Sequence, residues 1–305
     1  MAEDVLDIKS RTEQGIRMQN SAIQPFLDNP DCIEVMLNSD GSVWIDLLGA
    51  GLRRTDVRIK SGEVKSILNR VASSLGLNLT TETPIVEVEL ATDGSRIEGI
   101  IPPIVDVPIF AIRKKASKVF TLDDYLAAGI LSDQHLNAVS EGADGFEDLF
   151  GHLRGSVRKI LGQLCADRAN ILVVGSTSSG KTTLCNALLH EIGQTTPDHQ
   201  VVVIEDTREI QCPIENKMTL RTLRIEGRPI VTMHHLLKAT LRLSPDRIVV
   251  GEVRDVAALD FLKAWNSGHP GAGVTVHFNS ARAGLKRLEQ LVAEDILGNV
   301  VAQAP

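Results

Sequence analysis

The sequence predicts an α/β protein in which a three-layer domain, built on a mostly parallel sheet, follows a smaller α+β domain. Two observations support this fold class. The second half contains three continuous runs of mainly β-branched residues, 171–174, 201–204 and 247–250, which helical segments separate. Such runs are typical of parallel strands buried on both faces, and those strands need helices on both sides. The first half instead alternates short strand patterns with one helix.

The first half is predicted to be an α+β domain that spans residues 1–115. A hairpin is expected where Asp40-Gly41 lies between two apolar-rich runs. A helix is expected between Ser61, which can cap its start, and Gly76, which can end it. The predicted strands of this domain are residues 32–37, 42–48, 85–90, 96–101 and 109–113.

Residues 116–150 are predicted to be a polar linker between the two domains. The segment contains a short helix that Thr121 can cap and a glycine-rich stretch, 141–145. The second domain then covers residues 151–305. Ligands of open α/β sheets bind beyond the carboxyl ends of the strands, so the residues that follow each strand carry the functional information.

Composition restricts the class of protein. Of the 305 residues, 43% are hydrophobic and 23% are charged, which is typical of a folded globular chain. The formal net charge of -7 argues against a protein that wraps nucleic acid, since neutralising phosphates needs clustered Lys and Arg. We therefore expect no direct sequence-specific binding of nucleic acid.

The cysteines and the apolar segments indicate the compartment. The four cysteines form no CxxC pair, which excludes the usual zinc spacings and favours reduced thiols. No apolar stretch approaches the length of a membrane span, and the first residues are too charged for a signal peptide. We expect a cytoplasmic protein, with peripheral attachment to a membrane machine left open.

A glycine-rich loop follows the first buried strand and has the Walker A pattern. Its glycines allow successive N–H groups to point at phosphate oxygens, and the helix behind it adds the positive end of its dipole. Lys181 would bridge the terminal phosphates of ATP and the Thr182 hydroxyl would bind Mg²⁺. A purely structural turn is the alternative, which the strand–loop–helix context disfavours. The predicted nucleotide-binding residues are Gly175, Ser176, Thr177, Ser178, Ser179, Gly180, Lys181, Thr182 and Thr183.

Acidic residues follow the second buried strand. Glu205, Asp206 and Glu209 lie within five positions, with Arg208 among them. Carboxylates at such a strand end can hold Mg²⁺ or its waters, so Glu205 and Asp206 are candidate metal ligands beside Thr182. A polar loop without function is the alternative on these residues alone.

The third buried strand is followed by Gly251 and Glu252. The usual Walker B strand ends in an aspartate at the position of Gly251, and here the next residue supplies the acid. A carboxylate at Glu252 can act as general base toward the attacking water. Asp255 is expected to cap the next helix, residues 256–265, and not to bind a metal.

A fourth strand is expected at residues 274–278, after a glycine-rich segment. His277 in this strand could contact the γ-phosphate or could be an ordinary core histidine. The residues alone leave both interpretations open.

The order of these four segments resembles the secretion and traffic ATPases, the hexameric motors of type II and type IV secretion, pilus assembly and conjugation. The matching segments are the Walker A loop, IEDTREI at 204–210, LRLSPDRIVVGEVRD at 241–255 and GHPGAGVTVHFNS at 268–280. The resemblance is strong over residues 151–297 and weaker in the first half, at Pro102-Pro103 and around Arg113. Within the family the chain looks most similar to the TrbB-like branch of conjugal transfer.

The resemblance implies a RecA-like fold, bound ATP and Mg²⁺, a six-membered ring and peripheral docking on an inner-membrane secretion or conjugation complex. It assigns Glu252 as catalytic base, the acids 205, 206 and 209 as the family's Asp box, and His277 as its His box. Family members usually continue further, so the C-terminus is expected to be shortened. Their tetracysteine zinc element is absent from this sequence.

Two further hypotheses remain open at this stage. The chain could be a nucleotide-binding scaffold with little turnover, or a DNA translocase on the same core, although one Tyr and two Trp offer little for base stacking. An arginine from the first domain could complete the ATP site, since uncompensated charge develops on the γ-phosphate. The alternative is that the arginines of this domain are surface charges at strand ends, which the residues alone favour and which the family resemblance leaves open. Arg113 is the first candidate and Arg96 the second.

Overall fold

The chain forms two compact units in a computed structural model, residues Met1–Lys118 and Val119–Pro305. The structure describes residues 22–74, 76–89, 94–116, 118–132, 156–176, 179–225, 228–253, 257–266, 270–271, 273–278 and 280–302.

The first unit is built on a six-stranded antiparallel sheet in the order β3-β2-β1-β6-β5-β4. Apolar residues of alternate strand positions form one core with the longer helix, as the period of two predicts. Its elements are α1 (Gln24–Asp28), β1 (Cys32–Leu37), β2 (Ser42–Leu47), β3 (Gly51–Arg58), α2 (Ser61–Ser74), β4 (Ile85–Glu89), β5 (Arg96–Ile100) and β6 (Ile109–Arg113).

The predicted hairpin between β1 and β2 is confirmed. The Asn38 N–H and the Ser42 carbonyl close the turn at 3.0 Å. Gly41 has φ +79°, and a Cβ at this position would lie 2.9 Å from the Ile59 carbonyl oxygen. Both the backbone conformation and the close approach require glycine here.

Strand β3 was not predicted from the sequence. It lies at an edge of the sheet and most of its residues are exposed, with Arg53, Arg54, Asp56 and Arg58 among them. An exposed edge strand buries little apolar surface, so it lacks the hydrophobic alternation that identifies strands.

The second unit contains a five-stranded parallel sheet in the order β7-β13-β12-β8-β9. A two-stranded antiparallel ribbon, β10-β11, lies outside it. The elements are α3 (Leu122–Ala127), α4 (Val157–Ala166), β7 (Ile171–Gly175), α5 (Lys181–Thr195), β8 (Val201–Glu205), β9 (Lys217–Arg221), β10 (Leu223–Ile225), β11 (Arg228–Val231), α6 (Met233–Thr240), β12 (Arg247–Val250), α7 (Ala257–Asn266), β13 (Gly273–His277) and α8 (Ala281–Ala302).

The predicted three-layer arrangement is confirmed by the two apolar clusters that flank this sheet. Val201 and Val203 pack in a cluster with α5, whereas Val202 and Ile204 pack in a cluster with α6 and α7. Every residue of β8 and β12 is buried. Alternate side chains of one strand therefore face helices on opposite sides, as the continuous apolar runs predict.

The short helix of the predicted linker packs on the second unit. Thr121 caps α3 through a capping box with Asp124, which confirms the predicted helix start. Arg158 of α4 donates to both Asp123 of α3 and Glu191 of α5, at 2.8 and 2.9 Å. The glycine-rich stretch at 141–145 lies outside the described residues.

Within the described residues, no helix is long and apolar enough to cross a membrane.

Candidate nucleotide site

The Walker A loop connects the last residue of β7, Gly175, to the first residue of α5, Lys181. Gly180 caps α5 in the left-handed region with φ +84°. A Cβ at Gly175 would lie 2.3 Å from Ser179 Oγ, so the loop folds back onto its own start. The two glycines are thus required where the motif places them. Thr177 and Ser178 lie outside the described residues.

Lys181 lies over the loop, and its Nζ donates to the Ser176 carbonyl at 2.7 Å. The half-buried side chains of Thr182 and Thr183 follow on the first turn of α5. A mobile ammonium above a backbone cradle, at a helix N-terminus, is the arrangement that binds a polyphosphate.

The acidic segment after β8 reaches the first turn of α5. Thr182 Oγ1 donates to Glu209 Oε2 at 3.0 Å. Asp206, in contrast, accepts from Thr222 Oγ1 at 2.9 Å on the exposed side of the segment. Among the three predicted acids, Glu209 thus contacts the P-loop helix through its side chain.

Glu205 is the last residue of β8 and is 2% exposed. Its Oε1 accepts the backbone N–H groups of Glu209 and Ile210, at 2.9 and 2.6 Å. A buried carboxylate oxygen that accepts two N–H groups satisfies both donors and fixes the turn that it bridges.

Gly251 makes room for this carboxylate on the neighbouring strand end. A Cβ at Gly251 would lie 3.2 Å from Glu205 Cγ. The Gly251 N–H donates to the Ile204 carbonyl at 2.8 Å, and its own carbonyl accepts from the Thr275 hydroxyl. Glu252 follows in a half-buried position, directly after the strand end. Asp255, the predicted helix cap, lies outside the described residues.

His277 ends β13 and stands opposite Gly175 in the register of the two strands. The Phe278 N–H donates to the Gly175 carbonyl at 3.1 Å, which joins the two segments. Because His277 is exposed, it is not a core histidine. The Walker A loop and His277 therefore meet at the same edge of the sheet.

The two arginines proposed for the first unit lie side by side. Arg113, at the end of β6, stands opposite Arg96 of β5 and Glu34 of β1. Burial raises the pKa of the Glu34 carboxyl, and the charge of Arg113 opposes that rise. Arg113 itself is exposed.

Sequence reasoning missed Asn186, a buried polar residue of α5. Its Nδ2 donates to the Glu209 carbonyl at 3.4 Å, and its Oδ1 accepts the Gln211 N–H at 2.8 Å. One signal was available in the sequence: Asn186 interrupts an apolar helix segment four residues after Thr182, on the same helical face.

Arg247 was noted as part of a family signature, but it lies at the opposite, amino edge of the sheet and is fully buried. Its guanidinium donates to four neutral acceptors: His199 Nδ1, the Gly271 carbonyl, the Cys165 carbonyl and Thr196 Oγ1. Burial lowers the pKa of Arg247. These hydrogen bonds join β12 to α4, to the connection that follows α5 and to the segment before β13.

The groups that converge at the carboxyl edge suit a magnesium nucleotide. A hydroxyl and a carboxylate oxygen, Thr182 Oγ1 and Glu209 Oε2, stand 3.0 Å apart beside the cradle. Oxygen donors of this kind are what Mg²⁺ prefers, and the loop with Lys181 supplies donors for phosphate.

Comparison with known proteins gives three findings. The family described as "Type II/IV secretion system protein" matches residues 148–303. The "Probable conjugal transfer protein TrbB" of Sinorhizobium fredii is 41% identical over 282 residues, covering 90% of this chain and 78% of that protein. The "Type IV secretion system protein VirB11" of Bartonella henselae is 31% identical over 311 residues, covering 96% of this chain and 85% of the other.

A solved structure extends the comparison to the fold. The ATPase DotB of Yersinia pseudotuberculosis aligns with a TM-score of 0.59 at 17% identity, over 89% of this chain and 68% of that one. At this identity the likeness concerns the fold alone. The predicted fold class, a RecA-like P-loop core preceded by a smaller α+β domain, is confirmed.

Proposed function

Because the chain belongs to the family of Type II/IV secretion system proteins, we propose that it is a motor that hydrolyses ATP to drive substrate translocation or pilus assembly in a type IV secretion or conjugal-transfer system. One observation carries the enzymatic part of this proposal. The P-loop helix and the acidic segment, 27 positions apart in the sequence, meet through Thr182 and Glu209 at 3.0 Å. That contact brings a phosphate cradle and a carboxylate to the same edge of the sheet.

ATP would place its phosphates on the N–H groups of the Walker A loop. Lys181 would exchange the Ser176 carbonyl for phosphate oxygens, which costs little because that hydrogen bond is exposed to solvent and the side chain already lies over the loop. Thr182 would hold Mg²⁺ together with carboxylate oxygens, either of the predicted ligands Glu205 and Asp206 or of Glu209. The ion would supply positive charge against the phosphates. Thr183 would continue the cradle on the first turn of α5.

Glu252 is proposed as the general base. A water attacks the γ-phosphorus, Glu252 accepts the proton of that water, and the bond to the ADP oxygen breaks to release phosphate. His277, opposite Gly175 in the sheet, is proposed to contact the γ-phosphate from the neighbouring strand.

Arg113 is proposed to supply further positive charge to the transferring phosphate, with Arg96 beside it as the second candidate. Turnover should fall in both Arg113→Ala and Arg113→Lys, because lysine lacks the planar fork of a guanidinium. Normal rates in both variants would assign the first unit to assembly alone.

Assembly is the remaining part of the proposal. We propose a hexameric ring in the cytoplasm that docks peripherally on inner-membrane proteins of the secretion or conjugation complex. Named relatives from conjugal transfer and type IV secretion support the association with such a complex.

The proposal is tested by ATPase activity measured on size-resolved species, with and without Mg²⁺. Specific activity should rise with protein concentration and with nucleotide, and the active fraction should be a ring. Tight nucleotide binding without turnover would instead favour a scaffold, and activity that single-stranded DNA stimulates would favour a translocase. An active monomer at every concentration would contradict the ring.

A further inference from the structure

The acidic segment, residues 206–216, connects the end of β8 to the start of β9 without a helix or strand of its own. Because β8 and β9 are parallel neighbours, the segment returns from the carboxyl edge of the sheet to the amino edge. On the way it meets α5, which shares an apolar cluster with β8. The position of Glu209 is therefore set by side chains that hold the segment and not by a regular element.

Two buried side chains hold the backbone on either side of the Glu209 carboxylate. Glu205 accepts the N–H groups of Glu209 and Ile210. Asn186, which is 3% exposed, donates to the Glu209 carbonyl and accepts the Gln211 N–H. The peptide groups before and after Glu209 are thus fixed by side chains from β8 and from α5.

Helix α5 sets the geometry of this contact. Thr182 and Asn186 are four residues apart and lie on one face of the helix. The first meets the side chain of Glu209 and the second meets its main chain. One rigid helix thereby aligns both the carboxylate and the backbone that bears it.

Apolar contacts continue the same alignment further along the helix. Ile210 and Ile214 are buried in the cluster that includes α5. A Cβ at Gly193 of α5 would lie 3.3 Å from Ile214 Cγ1, so the segment lies close along the helix. Asn186 contributes a polar contact to this interface, one helical turn after Thr182.

We infer that Asn186 is a positioning residue for ATP hydrolysis: it fixes the peptide groups around Glu209 so that the carboxylate stands against the Thr182 hydroxyl. The inference rests on the proposed function, since it assigns a role within the same site. A purely structural asparagine would contribute to stability through its two hydrogen bonds but would not act through Glu209.

A double-mutant cycle separates these roles. Asn186→Leu keeps the approximate size of the side chain and removes both hydrogen bonds. It should lower kcat by about 10- to 100-fold, the range for residues that orient a metal or catalytic ligand, and raise the Mg²⁺ concentration needed for half-maximal activity while KM for ATP changes little. In a Glu209→Gln background, Asn186→Leu should cause almost no further loss, because the two residues act through one group. Leu188→Ala, also buried on α5, is the matched control: it should lower stability but leave kcat unchanged.

Backbone hydrogen exchange over residues 206–214 gives a readout that does not need turnover. Asn186→Leu should lose protection there, whereas Leu188→Ala should keep it. Additive losses in the cycle, or unchanged exchange in Asn186→Leu, would overturn the inference. If the wild-type protein does not hydrolyse ATP, the proposed function fails by itself. In that case the same double-mutant cycle is measured with Mg²⁺-dependent ATP binding in place of kcat. Binding should weaken in Asn186→Leu when Glu209 is present and should change little in the Glu209→Gln background.

Discussion

The two edges of the parallel sheet in the second unit carry charged residues for different purposes. At the carboxyl edge, His277 is exposed, and Lys181 and Glu252 are half-buried. At the amino edge, Arg247 is fully buried and donates to four neutral acceptors. The first edge keeps charge accessible for a ligand, whereas the second uses charge to join parts of the fold.

This difference shows that a family signature does not by itself identify a catalytic residue. The segment 244–252 carries both Arg247 and Glu252, five positions apart. Arg247 is the first residue of the four-residue strand β12, and Glu252 follows the end of that strand. The two residues therefore lie at opposite edges of the sheet. The edge at which a residue lies decides whether it can meet a nucleotide.

Lys181→Ala should give the largest loss of ATPase activity and should leave the stability of the protein unchanged. Removing the ammonium takes away stabilisation of the charge that develops on the transferred phosphate, so turnover should fall on the order of 10³-fold. The thermal midpoint should stay near that of the wild type, because the hydrogen bond that the side chain makes to the Ser176 carbonyl is exposed to solvent. Lys263→Ala, an exposed lysine of α7, should keep normal rates. Turnover close to wild type in Lys181→Ala would refute the P-loop assignment.

Arg247→Met should show the reverse pattern at the amino edge. It leaves the Cys165 and Gly271 carbonyls without a donor that they now use, so the free energy of unfolding should fall by roughly 3 kcal/mol. Urea unfolding measures this loss. The exposed Arg242→Met is the control and should change the free energy by less than about 0.5 kcal/mol. A stable Arg247→Met protein that has lost its activity would place Arg247 in the catalytic machinery.

Glu252→Gln tests one proposed role at the carboxyl edge, that of the general base. The amide keeps the shape but cannot accept a proton, so hydrolysis should fall by about 100-fold or more while ATP still binds. A fluorescent nucleotide analogue reports the binding. If affinity fell together with turnover, Glu252 would be a structural or metal residue and the base would lie among the acids of residues 205–209.

The smallest effect concerns the pH dependence of the amino edge. Burial and the charge of Arg247 lower the pKa of His199 in the folded protein. His199 therefore binds a proton more readily in the unfolded chain, around pH 6.5, than in the folded protein, so stability should decrease as the pH falls below that value. Thermal midpoints at pH 5.5 and 7.5 should differ less in His199→Gln than in the wild type. An equal difference in the two proteins would show that His199 does not contribute.

The fold was predictable where burial leaves a strong pattern. Strands β8 and β12 are buried on both faces, and their apolar runs identified them. Strands β3 and β9 lie at sheet edges with exposed residues, so they lack an apolar run and neither was predicted. The predicted domain limits at 115 and 150 stay a prediction.

The site was predictable only as far as local spacing determines it. The Walker A loop depends on eight consecutive positions, and its two glycines occupy the conformations that the motif requires. The contact of Glu209 with Thr182, the two bonds of Asn186 and the four of Arg247 join segments far apart in the chain. Residue types at the strand ends indicated which groups would gather, but which pairs would touch depends on tertiary packing.

Gly251 has a consequence for how this protein can change over evolutionary time. The missing side chain leaves the volume that Glu205 occupies from the adjacent strand, 3.2 Å from where a Cβ would stand. A side chain at position 251 would require Glu205 to shift, and that shift would disturb the two hydrogen bonds that Glu205 accepts from Glu209 and Ile210. We therefore expect substitutions at positions 205 and 251 to be coupled, so that a change at one is tolerated best together with a change at the other.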